Sequence, residues 1–224
     1  MVFGINQHNW SVFILIIWAT GLPGLNWALL ASLSLQISVY VQSDNDHILF
    51  AIAFGTVATM TGALLSIKLN TTFKYKIILV SCIIHIISSI SLLITFLTKN
   101  SIFIYMYAVL YGLANIIGQT GKNNLVEQQF RTLAKGTIGH GIRGIMECLF
   151  LGISYFIHPY IYSLFSDESQ DVTWGFGAIV LFSSLFNIIA CGLSIIYMKN
   201  IPKVIRDNEV IYRLQNGQMT MHKD

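Results

Sequence analysis

Six stretches of this chain are apolar over the thickness of a bilayer, and that feature excludes most folds otherwise open to 224 residues. They run Ser11–Val41, Ile48–Ile67, Ile77–Leu97, Ile102–Gly118, Thr137–Ile161 and Trp174–Met198. A helix needs roughly 20 predominantly apolar residues to cross the hydrocarbon, and lipid admits only structures that satisfy every backbone polar group internally. Composition agrees. Hydrophobic residues make up 54% of the chain, charged residues 10%, and the mean hydropathy is +0.66, which is more apolar surface than a water-soluble core of this size can hide. We expect an all-α fold, a polytopic membrane helical bundle of six transmembrane helices over residues 1–198, followed by a polar cytosolic tail over residues 199–224.

Ser11–Val41 is too long for one perpendicular span, and Gly21-Leu-Pro-Gly24 sits inside it. Proline removes a backbone hydrogen bond and kinks a helix, so this stretch reads as one long bent helix. Asn26 and Trp27 lie just beyond the kink, where they either tie and pack helices or line a cavity. Cys82, Cys148 and Cys191 are scattered through the spans in no metal or disulfide spacing, as expected of small apolar residues packed between helices.

Basic residues set the expected orientation. The connection Gln42–His47 has no Lys or Arg, whereas Lys68–Lys76 has three lysines. Lys122, Arg131 and Lys135 fall between spans four and five, and five more basic residues follow span six. Assigned to alternating sides, eleven of the thirteen share one face, leaving Lys99 opposite and Arg143 inside the membrane. The positive-inside rule then puts both termini in the cytosol, and an even number of spans requires the same. Asn9 and Asn70 head glycosylation patterns that this topology keeps unmodified.

Most of the polar chemistry lies between Tyr111 and Pro159. Span four carries Asn115 and Gln119, a charged loop carries Lys122 and Glu127, and span five carries His140, Arg143, Glu147 and His158 among glycines. Ionisable residues inside a span are costly and are functional candidates by default. Arg143 and Glu147 are four apart on one helical face, with His140 one turn earlier. Two readings stand. They form a neutralising pair, or Glu147 is a proton-coupling or cation-binding carboxylate. His85 is expected as a hydrogen-bonded interior or interfacial histidine, and His158 near the outer surface.

Two passages carry a family resemblance. Gly62-Ala-Leu-Leu-Ser-Ile-Lys-Leu-Asn70 resembles the loop signature Gly-x-Leu-x-Asp-Arg-x-Gly-Arg of the major facilitator superfamily, with Gly62 and Leu64 matching but Ser66, Ile67 and Leu69 replacing its Asp, first Arg and Gly. Glu127-Gln-Gln-Phe-Arg131 through Gly136 to His158-Pro159 is similar to that family's passage into helix five, where glycines precede a proline at the far end. The resemblance implies a half-transporter-like bundle, similar to the second half of such proteins, with helices one and four facing the pathway. Family members have two six-helix halves with the site between them, and 224 residues hold one, so the half pairs with a second copy or another half-transporter chain, or no longer transports.

The expected function is therefore transport of a small polar solute, with Glu147, Arg143, His140, Asn26, Trp27, Asn115 and Gln119 binding substrate or ion. The alternative is a non-transporting accessory or scaffold membrane protein. Neither Gly-x-Ser-x-Gly nor His-Glu-x-x-His occurs, nor any phosphate loop, zinc spacing or basic nucleic-acid patch. We thus expect no enzyme, cofactor, metal or nucleic-acid partner; the partners are the lipid bilayer, a small-molecule solute and the second half.

Overall fold

The computed structural model describes residues 25–26, 28–73, 76–129, 133–166 and 172–198, and these are helical almost throughout. The helices are α1 (Leu29–Ser32), α2 (Ser34–Val41), α3 (Asn45–Phe73), α4 (Ile77–Thr98), α5 (Ile102–Gln129), α6 (Leu133–Phe165) and α7 (Val172–Met198). Five of them, α3 to α7, are long and apolar enough to cross a bilayer. The chain reads as a multi-pass integral membrane protein. The expected first span is described only in its second part: Gly21-Leu-Pro-Gly24 and Trp27 lie outside the described residues. What is described of it is not one continuous helix, because α1 and α2 part at Leu33, which leaves helical geometry at φ −129° and ψ 22°.

The surface of the bundle differs from that of a water-soluble protein. Ser88, Ser184, His158 and Asn187 are buried, while Phe156, Leu97 and Trp174 are almost bare, a surface that lipid rather than water solvates. Lipid gives apolar helix faces little reason to associate, so close backbone approach and interhelical hydrogen bonds hold the helices together. Both devices act on α5, which lies between α3 and α4. Gly112 sits against the carbonyl of Gly55, and a Cβ there would also come within 2.8 Å of Thr59 Oγ1. On the other side Ser81 donates to the Ala114 carbonyl at 2.6 Å and Ser88 to that of Tyr107 at 3.1 Å. Phe176 of α7, packed on Tyr40 and Phe96, closes the core at the end where α5 begins.

Turns are made by local chemistry. Lys99 adopts the left-handed conformation (φ 54°) and its N–H caps the Thr95 carbonyl at 2.8 Å, while Asn100 Oδ1 accepts the Ile102 N–H at 3.0 Å to start α5. Several helices outrun the expected spans, α3 reaching Phe73 rather than Ile67. Helix α5 continues beyond Gly118 to Gln129, so Lys122 and Glu127 are helical rather than in a loop. The polar residues responsible find partners on α3: Thr120 donates to Ser66 Oγ at 3.1 Å and Asn124 to Asn70 Oδ1. Helix α6 likewise runs through Pro159 to Phe165, since neighbouring helices allow a membrane helix to survive the lost bond.

Candidate functional site

Lys122 is the most deeply buried charge among the described residues, 4% exposed in the second half of α5. Gly118 and Gly121 bring this part of α5 against Ser81 and Ile78 of α4. Lys122 there meets Ser81, Cys82 and His85 of α4 and Cys191 and Ser194 of α7, around a pocket of about 10 Å³, the size of one water molecule. His85 is buried and its Nδ1 has no hydrogen-bond partner. Cys82 of α4 and Cys191 of α7 both line this pocket, with the Cys191 thiol donating to Asn187 Oδ1 at 3.8 Å, whereas Cys148 is exposed.

Beside this pocket α5 and α6 share a charged cleft. Arg143 Nη1 donates to Asn123 Oδ1, Nη2 lies 3.9 Å from Glu147 Oε2, and Nε is buried with no partner. The ion pair is thus at the limit of contact, and both side chains are mostly buried, at 15% and 25% exposed. Glu147 and Arg143 are also the carboxylate and the cation within electrostatic reach of Lys122. Among the described residues no carboxylate lies within 4 Å of Lys122, so two cations share one anion. His140 is half-buried one turn before Arg143. Asn115 and Gln119 are half-buried two turns and one turn before Asn123 on α5 and line neither this pocket nor the cavity described next.

That cavity, of about 230 Å³, lies nearer the other end of the bundle, bounded by Asn26, Gly55 and Thr56, by Tyr107 and Tyr111 of α5, and by Tyr155 of α6. It opens where Thr56 and Tyr155 are exposed. Asn26 is fixed at its wall: Nδ2 donates to the Ser183 carbonyl at 3.2 Å and its own carbonyl accepts from Tyr107 OH at 3.3 Å. Between cavity and pocket the rings of Tyr111 and His85 meet edge to face, with centroids 5.1 Å apart. Asn187 of α7 braces this point from behind, donating to the His85 carbonyl at 3.3 Å and to Ser89 Oγ at 2.8 Å.

His158 is fully buried, not near the outer surface as expected. Its Nδ1 is 3.3 Å from Ser154 Oγ and its Nε2 3.3 Å from Ser183 Oγ. Ser154 spends its proton on the Leu25 carbonyl at 2.6 Å; it therefore accepts from Nδ1–H, and Nε2 accepts from Ser183. The serine–histidine pairing has nucleophile-and-base geometry, but neither described cavity reaches it. It joins α6, α7 and the chain at Leu25.

Of the residues singled out from sequence, the fold brings Arg143 and Glu147 together beside Lys122, seats Asn26 in the outer cavity, and leaves Asn115 and Gln119 off both spaces. Lys122, His85 and Asn187 were missed as site residues. The signal for Lys122 was present: Ala114, Gly118 and Lys122 continue one helical face at a spacing of four. Among the described residues no three His, Cys, Asp or Glu side chains converge to hold a metal ion. Compared with known proteins, the chain matches no family model, no curated protein and no solved structure.

Proposed function

We propose that this chain is a transporter-like membrane protein of the major facilitator type, a half-size unit that moves a small polar solute and pairs with a second copy. The observation that carries this reading is the Tyr111–His85 contact. Tyr111 lines a mostly apolar cavity that carries Asn26, Thr56 and Tyr155, and the His85 ring it touches lines a pocket anchored by a buried lysine, about 16 Å further along α5 at about 1.5 Å per residue. Rocking of one half against the other, the mechanism of transporters built from repeats, would part these rings and join the spaces. Asn26 and Tyr107, from the first and fourth expected spans, line the solute's entry, and Glu147 carries the coupling proton or cation. The termini face the cytosol: with Lys122 and Arg143 inside the membrane, ten of the remaining eleven basic residues still share the face with both termini.

A second reading, a non-transporting accessory protein, is favoured by one observation: Arg143 is already tied to Asn123 and near Glu147, which makes these charges tolerable with no ligand. Shrink–swell light scattering of proteoliposomes separates the two. Under a gradient of glycerol, urea, acetate or chloride, a transporter reswells faster than protein-free liposomes for at least one solute. Glu147→Gln should abolish that flux in the protein that folds, beyond any loss of yield from unpartnered Arg143, and adding Arg143→Gln should restore yield but not flux. No reswelling with any solute establishes the accessory reading; normal flux in well-folded Glu147→Gln removes Glu147 from the mechanism.

A further inference from the structure

Among the described residues the charges around Lys122 do not balance. Lys122 and Arg143 face one carboxylate, Glu147, which touches Arg143 only at 3.9 Å. A buried cation without a full counter-charge is expensive in low dielectric, and a merely structural position could hold an apolar residue. Two buried nitrogens nearby are unpaired among the described residues. Arg143 Nε can only donate, and His85 Nδ1 donates when it carries the ring proton. The pocket between His85 and Lys122 is walled further by the Cys82 thiol and by Ser194, both able to donate, and by Cys191, whose proton is given to Asn187 Oδ1 at 3.8 Å. Ser81 cannot, because its proton is given to the Ala114 carbonyl. A water would fit this space and satisfy hydrogen bonds, but it leaves the charge unbalanced.

We propose that the Lys122 pocket is a binding site for a small monovalent anion of halide to nitrate size, and that the solute moved by the protein bears a negative charge. The second statement rests on the transporter reading; the first does not. Volume sets the upper limit on size: a space that admits about one water accommodates a halide with slight outward movement of the Lys122 stem, and excludes phosphate. Lys122 supplies the charge, and the donors of His85, Cys82 and Ser194 complete the shell. Arg143 stays outside the pocket and supports the field.

Thermal unfolding of the purified full chain in nanodiscs tests the site, because a ligand that binds only the folded state raises the midpoint with its concentration. At constant ionic strength, sodium chloride and sodium nitrate should raise it saturably, whereas sodium gluconate and sodium phosphate should not. In Lys122→Met the concentration needed should rise roughly thirtyfold, the scale of losing one partner of a buried charge pair, and Lys122→Arg should retain part of the response. Chloride line broadening in NMR, relieved by nitrate, reports binding to the unmodified chain should Lys122→Met fail to fold. An equal response to gluconate, an unchanged response in folded Lys122→Met, or tighter binding of phosphate overturns the site. Anion binding without flux leaves the site standing and overturns transport; flux of glycerol or urea with no anion response does the reverse.

Discussion

Ser154 carries two hydrogen bonds on one oxygen, giving its proton to the Leu25 carbonyl and accepting from His158. Removing that oxygen leaves a buried carbonyl and a buried ring N–H unsatisfied. Ser154→Ala should therefore cost about 1 kcal/mol, within the roughly 0.6 to 1.7 found for interhelical hydrogen bonds in membranes, as read by reversible unfolding in mixed micelles. Ser163 provides the control: exposed, and bonded only to the Tyr160 carbonyl in its own helix, it should tolerate alanine without measurable loss. Equal effects at the two positions would show that the His158 junction contributes nothing to stability. That His158 is buried was not legible locally. The residue stands beside Pro159 near an expected span end, and its burial depends on a serine 25 positions later in the chain.

At the scale of elements, the α3–α5 interface depends on the absence of side chains at two crossing points. A Cβ on Gly55 would lie 2.9 Å from the Ala108 carbonyl oxygen, and one on Gly112 would collide with Gly55 itself. Backbone cannot retreat as a flexible side chain does, so the helices must separate. Gly112→Ala should destabilise by about 1–3 kcal/mol, the range for overpacking. Gly152, with nothing within 4 Å of a Cβ, should accept alanine with no loss or a gain of up to about 1 kcal/mol, since alanine is the better helix former. Thermal unfolding of the two variants side by side decides it, and an undisturbed Gly112→Ala would show that the approach is looser than described. The sequence predicted the existence and type of these helices but not where α5 ends. Its last turns are polar, and only the facing Ser66 and Asn70 of α3 make a polar helix stable there.

For the molecule as a whole, α6 is the least covered span: 11% of its most apolar stretch is buried, against 28 to 50% in the other four. Gly144, Cys148 and Gly152 lie four apart on one face, with open space beside both glycines and Cys148 exposed, the small-residue pattern that lets membrane helices approach closely. If a second copy pairs there, mild oxidation in native membranes should link two chains through Cys148. Cys148→Ala and the double change Gly144→Leu with Gly152→Leu should each abolish the dimer band; a chain that stays monomeric under oxidation would leave this face to lipid. What the sequence determined by itself was class and setting, because hydrophobicity over about 20 residues is a property of each segment alone. It also marked Arg143 and Glu147, since a charge inside an apolar run stands out without any neighbour. The tertiary structure alone decided which polar residues face one another. Lys122 read as a topology signal until α4 and α7 closed over it, and His85, Cys82 and Cys191 acquire a role only because helices far apart in sequence place them around one pocket, with Asn187 bracing it from α7.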